Sequence, residues 1–252
     1  MESSALQVSL SADRVKIEFS AETRESLVRL ADLLPALRSI TNSVVEAAIQ
    51  REGRAARSVS CKAGCGACCR QLVPITSTEA RQIPQIVSSL SEEHRERVIS
   101  RFEAVRSRLR EVGMWSRLES MAALTAEERL ALSLEYFALG IACPFLENES
   151  CSIHAQRPLM CRQYLVTSPA LNCQRPTPES ISRVALAAYL HDAVKQVEKK
   201  ETGKERVDVL STAVFWQPDD TAVMHTVGEW MRSLLAEARR GEVETASTPP
   251  AQ

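Results

Sequence analysis

Near the start of the chain hydrophobic and polar residues alternate, and further on the hydrophobic residues recur at helical spacing. The alternating apolar positions are Val8, Leu10, Val15, Ile17 and Phe19. A period of two predicts two short strands or a hairpin. The next apolar positions, spaced mostly three and four apart, are Leu27, Leu30, Leu34, Leu37, Val44 and Ala48. This spacing predicts an amphipathic helix or helix pair with a kink or break at Pro35. A homodimer through residues 27–48 is an alternative use of the stripe, but packing against its own chain is favoured.

Two capping boxes mark helix starts in the middle of the chain. Thr76 stands three residues before Glu79, and Thr125 stands three residues before Glu128. At this spacing each side chain can bond the backbone N–H of the other residue, so a helix is expected after each threonine. Between the boxes a charged segment beginning at Ser91 predicts a partly exposed helix. Its apolar stripe consists of Val98, Phe102, Val105 and Leu109.

Three further elements are predicted toward the C-terminus. Thr177, followed by a proline, has the pattern of a helix N-cap and predicts a helix to about Lys199. The run 207–216 favours a strand, and the last apolar pattern predicts a helix that ends before Gly241. The polar, proline-containing residues 243–252 predict a disordered tail.

These patterns predict a mainly α-helical protein with minor β-strand content and a cysteine-rich metal centre built from loops. Residues 1–58 are expected to form an N-terminal extension of hairpin and helix, and residues 59–175 a cysteine-cluster metal-binding domain. Residues 176–242 are expected to form a C-terminal helical extension. All eight cysteines fall between residues 61 and 173, whereas the flanks carry none.

Composition and charge narrow the class of function. The chain of 252 residues is 44% hydrophobic and 25% charged, as is usual for a globular protein. A formal net charge of −1 excludes a global basic field that would draw the chain to nucleic acid or anionic lipid. The N-terminus lacks the pattern of a signal peptide, and no apolar run approaches the roughly 20 residues of a membrane helix. We therefore expect a cytoplasmic location, with no membrane partner and with a protein partner left open. In the cytoplasm clustered cysteines bind metals or act in redox chemistry before they form disulfides.

Four cysteines fall within nine residues, in the run CKAGCGACCR. They are Cys61, Cys65, Cys68 and Cys69. Thiolates are soft, strongly donating ligands, and spacings of two or three residues let neighbouring thiolates converge on a metal ion or an iron–sulfur cluster. Cys68 and Cys69 are adjacent, so their side chains diverge, and one of the two is expected to face a different site from the other.

The second group of cysteines is more widely spaced. Its members are Cys143, Cys151, Cys161 and Cys173. A ligand loop of three or four residues usually needs a distant partner to close a four-ligand shell, so eight thiols would serve two sites, or one site with spares. Arg157 and Arg162 flank Cys161 and are predicted to offset the negative charge of a thiolate-ligated centre. His154 is an alternative ligand, although a loop position or a supporting role is favoured for it.

Packing is the main competing interpretation, because free cysteine is a small hydrophobe that is often buried. For Cys143 or Cys173 taken alone this alternative carries weight, and for the first group together it carries little. Disulfides are disfavoured by the expected compartment, and the two arginines would otherwise be ordinary surface charges.

The motifs resemble the YkgJ-type CxxCxxCC cysteine-cluster family of zinc- or iron-chelating domains, over about residues 58–175. The matching positions are the first cysteine group, then Leu72, Val73, Pro74, Thr76, Thr78 and Glu79, then Cys143, Pro144, Phe145 and Leu146, and finally Cys151, Ile153, Arg157, Pro158, Cys161 and Arg162. His154 replaces the usual tyrosine of the family and leaves the thiols untouched. The resemblance implies metal or iron–sulfur binding. The flagellin lysine N-methylases contain a similar cysteine-rich region, so an enzymatic role stays open.

Three functions compete. The favoured one is an iron–sulfur protein with a [4Fe–4S] cluster that serves electron transfer, sensing or protein modification. The alternative is a zinc-binding adaptor held together by four-cysteine sites, since Zn²⁺ uses the same ligands. A radical S-adenosylmethionine enzyme is less favoured. The required C-x3-C-x2-C spacing is present at Cys61, Cys65 and Cys68, but the chain shows no strand–helix alternation of a βα barrel.

Overall fold

A computed structural model gives the fold and describes residues 4–12, 15–23, 26–177, 179–215 and 223–246. Within these ranges the chain is mainly α-helical with little strand, which confirms the predicted fold class. The α-helices are α1 (Leu34–Arg54), α2 (Ser77–Ser88), α3 (Glu92–Glu111), α4 (Trp115–Glu119), α5 (Ala126–Ala138), α6 (Leu159–Gln163), α7 (Leu190–Thr202) and α8 (Val227–Ala246). None of the helices described has the length and apolar character that crossing a membrane requires.

The strands of the described part form small antiparallel pairs and no larger sheet. They are β1 (Ser4–Ala12), β2 (Val15–Thr23), β3 (Leu27–Arg29), β4 (Pro74–Ile75), β5 (Leu146–Glu147), β6 (Ser150–Cys151), β7 (Asp208–Val209) and β8 (Met224–Thr226). β1 pairs with β2 along its whole length, so the hairpin predicted from the alternating residues is confirmed. β5 and β6 form a second, tight hairpin, whereas β3–β8 and β4–β7 join segments that are distant in the chain.

Helix α1 carries the apolar stripe predicted for residues 27–48. Pro35 lies in its first turn, where a missing N–H costs nothing, so the helix begins there and is not kinked by the proline. The stripe faces a core that α1 shares with α7 and α8, and its buried members are Leu30, Leu34, Leu37, Val44 and Ala48, with Ile40 buried beside them. Leu27, which precedes the helix in β3, is 56% exposed. The stripe is therefore used largely inside its own chain.

Both predicted capping boxes are confirmed, and so is the helix between them. The backbone N–H of Glu79 donates to Thr76 Oγ1 at 3.2 Å, and that of Glu128 donates to Thr125 Oγ1 at 3.2 Å. α2 and α5 begin at the residue after each threonine. The helix predicted from Ser91 is α3, and its complete apolar stripe is buried.

The helix predicted to begin at Thr177 is wrong over its first half, because α7 begins only at Leu190. Thr177 instead exchanges hydrogen bonds with Ser180 in a turn. The chain beyond the turn runs beside an earlier segment, where the Val184 N–H donates to the Leu165 carbonyl at 2.9 Å. A backbone group that is bonded across the chain is lost to the hydrogen-bond ladder of a helix, so the segment stays extended.

The strand predicted over 207–216 is short in the structure. Only Asp208–Val209 pairs with β4, and Leu210–Phe215 forms a 3-10 helix, while Trp216 lies outside the described residues. The pairing is antiparallel, so the residues after Val209 run toward the chain that precedes Pro74. The Leu210 N–H still donates to the Val73 carbonyl at 3.0 Å, and the chain then turns into the 3-10 helix.

The last helix is longer than predicted. α8 continues through Gly241 and ends at Ala246, because a single glycine costs a helix about 1 kcal/mol and does not by itself stop it. Residues 243–246, predicted as part of a disordered tail, belong to this helix, and 247–252 lie outside the described residues.

The side chain of Glu79 links helix α2 to the segment that carries the later cysteines. It is 1% exposed and accepts hydrogen bonds from the Thr76 N–H at 3.1 Å and from the Leu159 N–H at 2.7 Å. Burial alone would raise its pKa, but His191 and these hydrogen bonds outweigh burial and hold the pKa of Glu79 below its usual value. The carboxylate is therefore anionic, and it fixes the start of α6 against the start of α2.

We expect Glu79→Ala to lower the free energy of unfolding by about 3 kcal/mol, because two buried N–H groups lose their acceptor. Glu128→Ala is the matched control, since Glu128 occupies the same position in an exposed capping box. It should cost about 0.5–1 kcal/mol. Chemical denaturation of both variants and the wild type measures the difference. Equal losses in the two variants would show that the link to Leu159 contributes nothing.

Candidate metal centre

The first cysteine group lies in a loop that is shaped by backbone hydrogen bonds. The Cys65 N–H donates to the Lys62 carbonyl at 3.1 Å, and the Cys69 N–H donates to the Gly66 carbonyl at 2.9 Å. Gly64 adopts a φ of +80°, which a residue with a side chain rarely takes. Two consecutive turns therefore place Cys61, Cys65, Cys68 and Cys69 on a compact loop, as the predicted ligand loop requires.

This loop is pressed against the β5–β6 hairpin. Gly66 is the point of closest approach, because a Cβ atom there would lie 2.7 Å from Leu146 Cδ1 and 2.9 Å from the Glu149 backbone oxygen. Arg70 Nη2 lies 2.6 Å from Glu149 Oε1, and the Cys143 N–H donates to the Cys69 carbonyl at 2.7 Å. The two cysteine groups, separated by more than 70 residues in sequence, thus meet in the structure.

The cysteines sit on two different apolar clusters. We call the first the α2–α3 core, and its buried members are Ile75, Ala80, Ile83, Ile86, Val87, Val98, Phe102, Phe145, Ile153, Leu210 and Ala213. Cys143, Cys151 and Cys161 pack against it. We call the second the satellite cluster, which consists of Ala67, Val166 and Cys173. Cys61 and Cys65 pack against the satellite cluster, and Cys61 also packs against the core of α1, α7 and α8.

Burial disfavours the thiolate form at most of these positions. It raises the pKa of Cys143 to about 12 and that of Cys173 to about 11. Burial also raises the pKa values of Cys61, Cys151 and Cys161. All eight thiols are free of disulfides. A buried thiol becomes a good ligand only when a cation compensates its charge, which a bound metal does.

The adjacent pair differs from the rest. The Cys69 thiol donates a hydrogen bond to the Cys68 sulfur, which lowers the pKa of Cys68 to about 7 and raises that of Cys69. Arg157 lowers the pKa of Cys68 further. Cys68 is therefore the thiol most readily ionised near neutral pH, despite its burial.

The two predicted arginines differ in their hydrogen bonds, although both act on the thiols. Arg162 donates to Asn42 Oδ1 at 2.7 Å, to the Ala155 carbonyl at 2.5 Å and to the Arg157 carbonyl at 3.0 Å, so its donors hold the chain around α6. Arg157 favours the thiolate forms of Cys61, Cys68 and Cys151. Its buried Nε has no hydrogen-bond partner among the described residues. Arg162 also favours the thiolate form of Cys151, so the prediction that both arginines offset thiolate charge stays a prediction.

Positive charge accumulates beside the thiols. Burial lowers the pKa of Arg162 to about 10, and the neighbouring Arg157 and Arg38 lower it as well. Glu79 is the buried carboxylate that acts on Arg162 and Arg38. One carboxylate against three guanidinium groups leaves an excess of positive charge, which an anionic thiolate centre would balance.

His154 is not drawn into the group. It is exposed in a 3-10 turn, and burial of part of its ring together with Arg157 and Arg162 lowers its pKa. The structure therefore places it at a loop position, as favoured from the sequence.

In the part of the chain that the structure describes, no three Cys, His, Asp or Glu side chains already stand in the geometry of a metal site. The Cys69 thiol is hydrogen-bonded to Cys68 instead, and the thiols need side-chain rotation to converge on one ion. The ligand set itself fits a soft metal, because it consists of thiols. Hydrogen-bond donors that have no partner in the described part of the chain lie beside these thiols. Besides Arg157 Nε, the hydroxyl of Ser152 is buried next to Cys151 without a hydrogen-bond partner among the described residues. Such donors commonly bond the sulfurs of a thiolate-ligated centre.

The comparison with known families agrees with this arrangement. Residues 60–180 match the model of the CxxCxxCC family, described as a "putative zinc- or iron-chelating domain". The resemblance seen in the sequence is thereby confirmed over nearly the predicted range, and the description of the family supports zinc or iron chelation by this region. No curated protein and no solved structure matches the chain.

Several residues that shape the site had no recognisable signal in the sequence. Arg38 lies on α1, far from any cysteine in the chain, and Ser152 is one of many serines. Glu79 was identified as a capping residue, but its bond to Leu159 depends on the tertiary fold. Gly66 was the easiest of them to predict from the sequence, because a glycine between closely spaced ligands indicates a crowded loop.

We expect Gly66→Ala to push the first cysteine loop away from the β5–β6 hairpin, because the added methyl would overlap the Glu149 backbone oxygen. Overpacking of this kind should cost about 1–3 kcal/mol of stability and weaken metal binding. Gly53→Ala, in α1 with open space around it, is the matched control and should be neutral or slightly stabilising. Denaturation curves and Cd²⁺ titrations test both variants. Unchanged Cd²⁺ affinity in Gly66→Ala would mean that the contact with the hairpin does not position the thiols.

Proposed function

We propose that this chain is an iron–sulfur protein that binds a [4Fe–4S] cluster through its cysteine thiolates and serves electron transfer, sensing or protein modification. The ligands we assign are Cys61, Cys65, Cys68, Cys69, Cys143, Cys151, Cys161 and Cys173. The observation that carries the proposal is the meeting of eight free thiols from separate loops beside an arginine with an unused buried donor. Family membership of the cysteine domain supports the coarser statement of zinc or iron chelation.

The surroundings of the thiols favour a strongly anionic group over isolated packed thiols. Four thiolates around a cluster or ion carry net negative charge, which is costly to bury unless cations and hydrogen-bond donors compensate it. Arg157 and Ser152 supply such donors, and Arg38 and Arg162 add positive charge nearby. Packing alone would leave these buried donors without a purpose.

An iron–sulfur cluster, when bound, supplies one-electron chemistry, with a potential set by hydrogen bonds to its sulfurs and by solvent access. The part of this chain is to hold and tune such a cluster. The hairpin β5–β6 and the first cysteine loop enclose the thiols, Glu79 fixes α6, and Arg157 lies where it can stabilise added negative charge. We place the chain in the cytoplasm, where its thiols would stay reduced.

Zinc is the alternative, and one observation favours it. Much of residues 139–189 consists of loops, two-residue strands and the single-turn helix α6, with few regular elements to hold them together. A structural Zn²⁺ ion bound by four cysteines stabilises segments of this kind. The chain would then be an adaptor domain rather than a redox protein.

The described structure gives no support to a radical S-adenosylmethionine enzyme. The strands in the described ranges form two-stranded antiparallel pairs, whereas that class requires a barrel of parallel strands with intervening helices. A lysine N-methylase-like activity is likewise without a recognisable cofactor pocket among the described residues.

Metal analysis of anaerobically purified protein is the direct test. We expect brown protein with broad visible absorbance and with iron and acid-labile sulfide in equal amounts, both absent when the eight cysteines are replaced by serine. Colourless protein that holds stoichiometric zinc and takes up no sulfide on anaerobic reconstitution would contradict the proposal. Unfolding of such protein by a chelator would establish the structural zinc alternative.

The two arginines should differ in what they affect. We expect Arg157→Gln to lower the reduction potential of the cluster, because loss of a nearby positive charge disfavours the added electron, while thermal stability changes little. Arg162→Gln should mainly destabilise the fold, by about 1.5–3 kcal/mol for each charged hydrogen bond that is not replaced. Redox titration and thermal denaturation separate the effects. Identical behaviour of the two variants would contradict the assigned division of roles.

A further inference from the structure

The eight thiols divide between the two apolar clusters in a regular way. Three of them, Cys143, Cys151 and Cys161, lie on the α2–α3 core, and three others, Cys61, Cys65 and Cys173, lie on or within the satellite cluster. Neither cluster contains a cysteine of the other set. Each apolar cluster therefore presents three thiols, one short of the four that a closed tetrahedral shell or a [4Fe–4S] cluster uses.

The remaining two cysteines are neighbours at the junction between the sets. The carbonyl of Cys69 accepts the Cys143 N–H at 2.7 Å, which ties Cys69 to the start of the second cysteine segment. Cys68 and Cys69 both lie in the 3-10 turn Ala67–Arg70, which packs against the 3-10 turn Ala170–Gln174 carrying Cys173. Ala67, one residue before Cys68, belongs to the satellite cluster itself.

We propose that the chain forms two separate four-cysteine metal centres, with the peptide bond between Cys68 and Cys69 joining them. The core centre consists of Cys69, Cys143, Cys151 and Cys161. The satellite centre consists of Cys61, Cys65, Cys68 and Cys173. This inference rests on the proposed function only in that the thiols bind metal, and it holds for iron–sulfur clusters and for zinc alike.

The structure holds the sulfurs of Cys68 and Cys69 together through a hydrogen bond, so each thiol must rotate away from the other to join its own set. Successive residues of a 3-10 turn project about 120° apart, because the turn has three residues, so the two rotated thiols can reach two different ions.

Three double variants of the full chain, each lacking two thiols, test the division. The satellite pair is Cys61→Ser with Cys173→Ser, the core pair is Cys143→Ser with Cys161→Ser, and the split pair is Cys61→Ser with Cys143→Ser. After anaerobic loading with Cd²⁺ alone, the satellite and core pairs should each keep half of the tightly bound metal of the wild type. The split pair removes the same number of thiols but damages both centres, so it should keep far less than half. Equal losses in the three pairs would overturn the proposal in favour of one eight-thiolate centre.

A measurement on the wild-type chain covers the case in which a variant does not fold. The protein is loaded with Cd²⁺ to half of saturation, its free thiols are alkylated, and intact molecules are fragmented in the mass spectrometer. Molecules with four protected thiols should protect either the complete core set or the complete satellite set. Protected sets that mix Cys61 with Cys143, or Cys68 with Cys69, would overturn the division.

The outcome for the metal is read separately. Iron and sulfide in the wild type test the proposed function, whereas the halving and the protected sets test the division. Zinc without sulfide in the wild type, together with half of the bound Cd²⁺ in the satellite and core pairs, would overturn the iron–sulfur proposal and support two centres. Iron and sulfide in the wild type, together with equal losses in all three pairs, would support the iron–sulfur proposal and overturn the division into two centres.

Discussion

The cysteine loops have little regular structure of their own, so their arrangement depends on how firmly each loop is tied to a helix. The buried Glu79 carboxylate provides the central tie, because it caps α2 and also accepts the N–H at the start of α6. Cys161 lies on α6, and the first cysteine loop ends a few residues before α2. One anionic side chain thereby sets the distance between two thiol-bearing segments, and a neutral or shorter side chain could not satisfy the same donors.

Charge is the second constraint, and it explains why so polar a region can be buried. Arg157 and Arg162 act on the thiols and Arg38 acts on Arg162, while Glu79 is the buried carboxylate that acts on Arg38 and Arg162. Such an excess of positive charge is unfavourable by itself, and buried thiolates are unfavourable by themselves. Brought together they compensate each other. The division of tasks between Arg157 and Arg162 follows, since one must hold the loop in place for the other to face the sulfurs.

The features that could be predicted from the sequence are those that depend on interactions between residues close together in the chain. The capping boxes at Thr76 and Thr125 depend on residues three apart, and the stripe of α3 on residues three and four apart, and all were found as predicted. The helix predicted from Thr177 does not begin there, because the backbone of the following segment is hydrogen-bonded to Leu165, which is distant in the chain. This interaction outweighs the N-cap pattern. Likewise, the length of the strand after Val207 depends on its pairing with β4, which is distant in the chain.

The candidate site shows the same limit at a finer level. Residue type and spacing were enough to single out the cysteines, but not to sort them, because spacing says nothing about which apolar cluster a loop packs on. In the proposed division the boundary falls between Cys68 and Cys69, the closest pair in the chain. One peptide bond joins them, and the Cys143 N–H holds the carbonyl of Cys69, so both proposed centres depend on the same short piece of backbone. Metal bound at one centre would fix that backbone for the other, and the two centres would therefore load in a coupled manner rather than independently.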